Sequence, residues 1–354
     1  IERTLNLTNN QGLVGAISSR TPFFLGSFET LRTEILGKIG HVHLLADLGE
    51  GVLEAMVETA IYVVTKERRG EPDSLFFRLL IDVEKGELLR QLTEECTKGD
   101  RSQRTFVINP RHFETLSGNP YAYWVSKTTI ETVGEHPCIE GNKAAIRVGM
   151  QTGDDFRFLR CLWEIPAALV SPSSTRPENK QPVRQQCLKE LSSDRAWVLF
   201  SKTETASPWF SPITLVAKWS GNGNELRNFT NEAGKLRSAL RSEQEYFKPG
   251  FSYMLRSTRL VPYLVPAGVM PTAGRAQIFP EQGEEYSVLG ICASNVGSAV
   301  ARFSGEKFAW PKFQASMVQG LPFCEFPEDT LALIKEHVDA EVNKRRAVVQ
   351  RYEP

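Results

Sequence analysis

Short apolar runs, separated by polar turns and amphipathic segments, follow one another through the first part of this 354-residue chain. Runs compatible with buried β-strands lie at residues 12–18, 41–48, 59–65 and 75–83. Amphipathic helices are predicted from Ser27 onward and over residues 87–98. Strands that alternate with helices are typical of parallel β-α-β units. Because so few strands cannot complete a doubly wound domain, we interpret residues 1–98 as the second half of one.

Beyond about residue 105 the chain changes to short strands, aromatic residues and turns rich in glycine, proline and asparagine. This pattern indicates an irregular α+β region with long loops. Residues 327–350 then place apolar side chains on one face of a long predicted helix. We therefore expect an α+β chain, divided into the C-terminal half of a Rossmann-like α/β sheet (1–98), a linker (99–134), an irregular α+β domain (135–326) and a C-terminal helix (327–354).

The charges of the chain balance, with 42 Lys and Arg against 42 Asp and Glu. This balance excludes a histone-like protein that binds nucleic acid by net charge alone, but it does not exclude a local DNA-binding face. Residues 235–259 carry six cations and two acids, a local net charge of +4, with aromatic residues close by. Cations contact phosphates, and Arg, Asn and Gln can read base edges. A solvated helix face beside ordinary core aromatics is the alternative interpretation.

The six cysteines are scattered and form no Cys-x-x-Cys pair, so the sequence predicts free thiols of a reducing compartment and no structural zinc. No apolar run approaches the roughly 20 residues that span a bilayer, and the N-terminal residues do not resemble a signal peptide. We expect a cytoplasmic protein without a membrane partner. The first residue is Ile1 rather than methionine, which suggests a piece of a larger protein.

The segment Asp47-Leu48-Gly49-Glu50-Gly51 follows the second predicted strand and contains part of a cofactor-binding turn. Glycines after a strand let the backbone approach a nucleotide or S-adenosylmethionine closely. The third glycine of that pattern is missing, since Val52, Leu53 and Glu54 come next. A tight strand-to-helix turn is the favoured interpretation, and a cofactor loop is the alternative.

Two asparagine-proline pairs, Asn109-Pro110 and Asn119-Pro120, contain part of a base-binding motif. Enzymes that methylate the adenine amino group use Asn-Pro-Pro-Tyr or a close variant after a strand. Neither pair has the second proline together with the aromatic residue, and Asn-Pro commonly opens turns. The histidines lack any metalloprotease context, and there is no Walker A loop or nucleophile elbow. The sequence therefore predicts no catalytic and no metal-ligating residue.

Several segments, each loose by itself, carry a resemblance to a known family when they are taken in order. They include Pro120-Tyr121-Ala122-Tyr123-Trp124, for Pro-x-x-Tyr-Trp, and Gly149-Met150-Gln151-Thr152-Gly153-Asp154, for Gly-x-x-Thr-Gly-Asp, with others at residues 12–17, 24–32, 44–49, 57–64, 246–250, 288–295 and 319–322. In this order the chain resembles the post-catalytic half of large bacterial adenine-specific DNA methyltransferases of the Eco57I type, which include PglX-like methyltransferases of phage defence (BREX).

The resemblance implies the C-terminal part of an adenine-N6-specific DNA methyltransferase from a bacterial restriction-modification or phage-defence system. Residues 1–98 would hold the last strands of the methyltransferase domain, and residues 135–326 a target-recognition domain. The S-adenosylmethionine loop and the Asn-Pro-Pro-Tyr motif of the family should lie upstream of Gly12, and this chain contains neither. The resemblance thus implies S-adenosylmethionine in the full-length protein, and we assign no catalytic or cofactor-binding residue here.

The implied partner is double-stranded DNA, with other defence-system subunits as a further candidate. The residues expected to contact DNA are Thr152, Gly153, Asp154, Arg157 and Arg160, with Lys248, Arg256 and Arg259 as candidate phosphate clamps. Two other hypotheses stay open at this point. One is a self-contained S-adenosylmethionine enzyme that uses residues 47–51, and the other is a non-catalytic interaction domain.

Overall fold

The chain divides into two compact units, each with sheets and helices of its own. The computed structural model describes residues 1–10, 12–54, 56–66, 72–175, 182–192, 195–202, 208–304 and 312–350. Unit 1 contains Ile1–Cys138, Ala299–Lys312 and Gly320–Pro322, and unit 2 contains Ile139–Ser298, Phe313–Gln319 and Phe323–Pro354. Mixed sheets combined with helices confirm the α+β class predicted from the sequence.

Unit 1 is built on a five-stranded sheet with the order β1-β3-β2-β4-β5. The strands are β1 (Leu13–Ser19), β2 (His41–Gly49), β3 (Thr59–Thr65), β4 (Ser74–Arg78) and β5 (Thr105–Ile108). All four apolar runs near the N-terminus therefore form strands, as predicted. The fourth strand is shorter than expected, because Ile81 and Val83 beyond its end are exposed to solvent.

The first three strands form a split β-α-β unit. β3 is antiparallel to both β1 and β2 and lies between them, so β1 and β2 run in the same direction. A helix with π-type hydrogen bonding, Leu31–Ile39, connects these two parallel strands. The sequence predicted parallel β-α-β units here, whereas among the described strands of this sheet β2 and β4 are the one adjacent parallel pair. The reason is the short connection at residues 50–58, which returns the chain as a hairpin rather than a crossover.

The segment from Asp47 to Gly51 therefore leads into a strand, and the strand-to-helix turn predicted there is wrong. Gly49 ends β2 with a φ of 65°, a conformation that favours glycine. A Cβ atom at this position would lie 3.0 Å from the carbonyl oxygen of Leu80. The glycine is thus required by the close approach of two backbone segments.

Aromatic side chains fill much of the core of unit 1. The ring of Phe76, on β4, stacks on Tyr123 at a centroid distance of 4.9 Å, and Phe113 meets the edge of Phe76 at 6.1 Å. Tyr121 packs tilted against Phe113 at 5.2 Å. The Pro-x-x-Tyr-Trp segment thus supplies buried rings, and residues 99–134 contribute both β5 and these core side chains to the unit.

The described residues of unit 2 form three sheets. Its strands are β6 (Ala144–Val148), β7 (Met150–Gln151), β8 (Leu159–Cys161), β9 (Trp197–Phe200), β10 (Trp209–Phe210), β11 (Leu215–Lys218), β12 (Ala239–Leu240), β13 (Gly250–Tyr253), β14 (Pro262–Val265) and β15 (Ala276–Pro280). The sheet orders are β10-β14-β13-β15-β6, β8-β11-β9 and β12-β7. Every adjacent pair is antiparallel except β10 with β14.

Helices of varied length connect these strands. The α-helices are Glu2–Leu7, Lys85–Thr97, Lys127–Gly134, Asp155–Phe158, Pro172–Thr175, Val183–Leu191, Ser220–Arg227, Glu285–Ala293, Asn295–Ala301, Ala315–Gln319 and Glu328–Gln350. Short 3-10 turns occupy Thr21–Phe23, Gly26–Phe28, Pro110–Thr115, Leu162–Glu164, Ala167–Leu169, Glu243–Glu245 and Arg302–Ser304. The last α-helix confirms the long C-terminal helix predicted from the sequence, whose residues 351–354 lie outside the described residues. Within the described residues, no helix combines the length and the apolar character needed to cross a membrane.

Candidate nucleic-acid interface

The Gly-x-x-Thr-Gly-Asp segment forms a loop at residues 149–155, which leaves the edge strand β6 of unit 2. Backbone hydrogen bonds fix it to the neighbouring segment around Thr272: the N–H of Gly149 donates to the carbonyl of Thr272 at 3.0 Å, and the N–H of Met150 to that of Pro271 at 2.8 Å. Gln151 pairs with Ala239 in the two-stranded sheet. The 149–155 loop is therefore held by backbone from two other parts of the unit.

Side chains within the 149–155 loop hold its turn. The hydroxyl of Thr152, which is almost fully buried, lies 2.6 Å from Oδ1 of Asp155. The carboxylate of Asp154 accepts from the backbone N–H of Arg157 at 3.1 Å and caps the short helix that follows. Partial burial disfavours the charged carboxylate of Asp155, but hydrogen bonds from Lys202 and Thr152 keep its pKa below the ordinary value. Both aspartates thus organise the loop itself.

Gly153 is the residue that this turn requires most strictly. Its φ is 75°, and a Cβ atom there would lie 2.5 Å from the carbonyl oxygen of Arg237. The Gly153 carbonyl accepts a hydrogen bond from Nη2 of Arg237 at 3.2 Å. No side chain larger than hydrogen fits without moving one of the two backbones.

A pocket of about 460 Å³ opens beside the 149–155 loop. It is lined by Met150, Gln151, Thr152, Gly153, Asp154, Asp155, Phe200, Lys202, Arg241, Thr272, Ala273 and Gly274. Lys202 forms an ion pair with Asp155. The exposed Arg241 makes no ion pair with any described residue. The pocket thus contains two cations and two carboxylates, and Arg241 is the cation that can contact a phosphate oxygen without first leaving an ion pair with a described residue.

The two other cations predicted near the loop are engaged within the protein. Arg157 contacts Glu225 through two nitrogens at 2.9 Å and lies over the ring of Phe229 at 4.9 Å. Nη1 of Arg160 donates to the carbonyl oxygens of Phe156 and, at 2.6 Å, Leu159. The structure places these two arginines directly after the loop, but neither lines the pocket.

The three candidate phosphate clamps lie elsewhere in unit 2. Lys248 forms an ion pair with Glu245 at 2.7 Å. Arg256 and Arg259 are exposed in the connection between β13 and β14, and neither forms an ion pair with a described residue. None of the three lines the pocket beside the 149–155 loop. The structure thus brings Thr152, Gly153 and Asp154 together and leaves these cations separate.

Several residues of this site carry no sequence signal that marks them as part of it. Lys202 and the turn at 272–274 reach the pocket from distant parts of the chain, and no local motif marks them. Arg241 lies inside the basic stretch at 235–259, so its charge was noted but not its position. Phe156 occurs between two predicted contact residues and is 94% exposed.

The alternative cofactor segment in unit 1 has a different environment. Asp47 is fully buried, and its carboxylate accepts from Nε and Nη2 of Arg20 at 2.6 and 2.7 Å and from the hydroxyl of Tyr123 at 2.9 Å. Burial opposes the charge on Arg20, but Asp47 and Glu58 raise the pKa of the guanidinium. Burial and the adjacent carboxylate also raise the pKa of Tyr123 well above its ordinary value.

Both oxygens of Asp47 are therefore occupied by protein donors, and no ribose hydroxyl can reach them. Residues 47–51 therefore do not fit the alternative interpretation as a loop that binds S-adenosylmethionine. Asn109 likewise caps a 3-10 turn by accepting from the N–H of Arg111 at 3.0 Å, which confirms the turn predicted there. No cluster of three or more metal-ligating side chains occurs among the described residues, and all six cysteines are free.

Comparisons with known proteins agree with the resemblance seen in the sequence. No family model matches the chain. The chain is similar to the adenine-specific methyltransferase PglX of Lacticaseibacillus casei (strain Zhang), with 24% identity over 241 residues that cover 67% of this chain and 19% of PglX. It thus spans about a fifth of the length of that relative. The prediction of a PglX-like, methyltransferase-related chain is confirmed.

Among solved structures, the Type IIL restriction-modification enzyme MmeI, determined in complex with DNA, matches 96% of this chain and 43% of its own, with a TM-score of 0.50 and 12% identity. The ATP-dependent Type ISP enzyme LlaBIII, determined bound to DNA, matches 96% of this chain and 26% of its own, with a TM-score of 0.49 and 13% identity. The likeness to MmeI concerns the fold.

Proposed function

We propose that this chain is the DNA-recognition portion of an adenine-N6-specific DNA methyltransferase from a bacterial restriction-modification or phage-defence system. Unit 1 would supply the last strands of the methyltransferase domain, and unit 2 the target-recognition domain. The similarity to PglX, and the likeness in fold to an enzyme determined with DNA, support this assignment. The other four fifths of such a protein would supply S-adenosylmethionine binding and catalysis.

The observation that carries the proposal is the fixed 149–155 loop beside a pocket with exposed cations. Lys202 and Arg241 would contact DNA phosphates, while the loop backbone at Thr152 and Gly153 sets the position of the strand. Phosphate contacts fix register and supply most non-specific affinity. Gln151, which is exposed at the pocket, has the amide group that can read an adenine edge.

The eight residues predicted from the sequence divide into three roles under this proposal. Thr152, Gly153 and Asp154 shape the loop, and Arg157 and Arg160 support the segment after it. Arg256 and Arg259 remain candidate phosphate contacts at a second place on unit 2, since their guanidinium groups are exposed. Lys248 is a candidate as well, although a contact with phosphate would compete with its ion pair to Glu245.

Salt dependence of DNA binding tests the proposal. The full chain should bind a fluorescein-labelled 30-base-pair duplex, and the logarithm of the affinity should fall linearly with the logarithm of the salt concentration. Replacing Arg241 by alanine should reduce the slope by about 0.9, the value for one phosphate contact. Arg101→Ala, which removes an exposed arginine of unit 1, serves as the matched control. Absent or salt-insensitive binding would overturn the proposal.

Two alternatives have separate outcomes. Binding of S-adenosylmethionine to this chain alone, measured by calorimetry, would support a self-contained enzyme. Capture of defence-system subunits by a chain without DNA affinity would support a non-catalytic interaction domain. The buried Asp47 carboxylate argues against the first alternative, because its oxygens already accept hydrogen bonds from Arg20 and Tyr123.

A further inference from the structure

Phe156 is unusually exposed for a residue in a well-anchored turn. Its side chain is 94% accessible, whereas Phe158, two positions later, is completely buried. Single exposed apolar side chains are common on protein surfaces, so exposure alone assigns no role. What separates Phe156 from such residues is its fixed backbone and its position directly after Asp155, which lines a pocket that also contains the exposed Arg241.

The backbone on both sides of Phe156 is fixed. Asp155, which precedes it, bonds to Thr152 at 2.6 Å and pairs with Lys202. The carbonyl oxygen of Phe156 itself accepts a hydrogen bond from Arg160. Phe158 then anchors the helix in the core, where its ring meets the edge of Phe229 at 5.1 Å. The exposed ring is consequently presented by a rigid turn.

The surroundings of Phe156 match a nucleic-acid strand rather than an apolar partner. Asp155 lines the pocket whose cations, Lys202 and Arg241, are candidate phosphate contacts. An aromatic ring beside phosphate-binding cations has the composition of a base-stacking platform, since every base offers a π-face. Apolar side chains also enter duplexes between base steps and unstack them.

We propose that Phe156 stacks on an unstacked base of double-stranded DNA while cations of the adjacent pocket hold the flanking phosphates. This inference rests on the proposed function of unit 2 in DNA binding. The ring would fill the space that a displaced base leaves in the stack. Stacking of this kind tolerates any base, so Phe156 adds affinity and distortion without selecting a sequence.

If Phe156 stacks in this way, the chain should bind DNA with already unstacked bases more tightly than fully paired DNA. The full chain should bind a 30-base-pair duplex with a central three-base mismatch bubble about tenfold more tightly than the fully paired duplex. Phe156→Ala should lose most of this preference and bind the bubble duplex about tenfold more weakly than the wild type. Phe156→Trp should retain both properties, because it keeps an aromatic face.

Salt dependence separates stacking from charge. Phe156→Ala should leave the slope of affinity against salt unchanged, whereas Arg241→Ala should reduce it by about 0.9. Trp163→Ala is the matched control, since Trp163 is 74% exposed but lies in the 3-10 turn Leu162–Glu164, whereas Phe156 directly follows Asp155 of the pocket lining. Its affinities should stay within about twofold of the wild type.

The outcomes distinguish this inference from the function on which it rests. If the wild-type chain binds no duplex, the proposed DNA-binding function fails. If it binds with the expected salt dependence but Phe156→Ala keeps its affinity and its bubble preference, the stacking role of Phe156 alone is overturned. An equal loss in Trp163→Ala would also overturn it, because the effect would then belong to exposed aromatic surface in general.

Discussion

The hydroxyl of Tyr123 lies 2.9 Å from Oδ2 of Asp47, across 76 positions of sequence. This hydrogen bond ties the segment after β5 to the end of β2 inside unit 1. Arg20 holds the same carboxylate from the other side and also contacts Glu58 at 3.0 Å. Four side chains that are distant in sequence thus form one buried polar cluster.

Replacing Tyr123 by phenylalanine tests that hydrogen bond. The ring packing remains while a bond to a buried carboxylate is lost, so the free energy of unfolding should fall by about 1.5 kcal/mol. Tyr62→Phe is the control, because the Tyr62 hydroxyl has only a 3.5 Å contact with Ser18. Urea unfolding followed by circular dichroism measures both. Equal effects of the two substitutions would contradict the assigned role of Tyr123.

Asp47→Asn should be far more damaging than the loss of a surface charge. It leaves Arg20 buried without its main counter-charge, and the unfolding free energy should fall by about 3–5 kcal/mol. Glu34→Gln breaks the exposed pair with Lys38 and should change it by less than about 0.5 kcal/mol. A mild effect of Asp47→Asn on urea unfolding would mean that the cluster does not stabilise unit 1.

Gly153→Ala should disturb the 149–155 loop through two effects, backbone strain and a clash with Arg237. Gly141 has the same φ of 75°, but its Cβ would meet no atom within 4 Å. Gly141→Ala should therefore cost about 1 kcal/mol from strain alone, and Gly153→Ala about 2–3 kcal/mol. Thermal unfolding compares the two variants, and DNA affinity should fall in Gly153→Ala only. Equal losses would show that the contact with Arg237 is unimportant.

Glu225→Gln should strengthen DNA binding. Glu225 pairs with Arg157 at 2.9 Å and with Lys218 at 2.8 Å, and hydrogen bonds from Lys218 and Arg157 lower its pKa. Neutralising it would release both cations, so the salt slope should rise by about 0.9 for each of them that then contacts a phosphate. Glu232→Gln makes the same change of net charge at an exposed position. An unchanged slope in fluorescence anisotropy would show that neither cation reaches phosphate.

Two cysteines should be protected from alkylation in the native protein. Burial raises the pKa of the Cys187 thiol to about 11 and that of Cys292 to about 12. At pH 8, iodoacetamide and mass spectrometry should find both unmodified in buffer and modified in urea, while the half-buried Cys96 and Cys324 react in buffer. Fast native labelling of Cys187 would contradict its burial.

The same shifts predict a loss of stability at high pH. The folded-state pKa of Cys187 lies above the ordinary value of 9.0. The contribution of this thiol to the free energy of unfolding is therefore complete below pH 9 and is lost as the pH rises through about 11. Cys187→Ala should therefore flatten the decline in unfolding free energy between pH 9 and 11.

Sequence periodicity predicted the strands of unit 1 because each is a continuous apolar run that the sheet buries. It could not predict their order, since β3 enters between β1 and β2 through contacts that no local pattern encodes. The turn at Gly153 was found from a motif whose glycine is needed for its backbone conformation. Lys202 and Thr272 were not found, because they reach the pocket only after the sheets of unit 2 have formed.

The partners of charged side chains could not be predicted from the sequence either. Arg157 and Arg160 were chosen for their charge, yet the structure gives each a partner within the protein. Sequence reveals that a cation is present but not whether a carboxylate or a carbonyl oxygen lies beside it. No sequence pattern separates the exposed Phe156 from the buried Phe158, since both are phenylalanines of the same mixed segment.

The position of β3 between β1 and β2 also favours one order of strand pairing over the other. β2 and β3 are joined by the short connection at 50–58 and can meet as a local hairpin, whereas β1 must close a much longer loop to reach β3. The pairing of β2 with β3 therefore closes a shorter loop than the pairing of β1 with β3, although β1 precedes both strands along the chain. When β2 has left the ribosome, β3, which pairs with both β1 and β2, has not yet been made. Until then the apolar side chains of β1 and β2 are exposed, and we expect chaperones to protect them from aggregation.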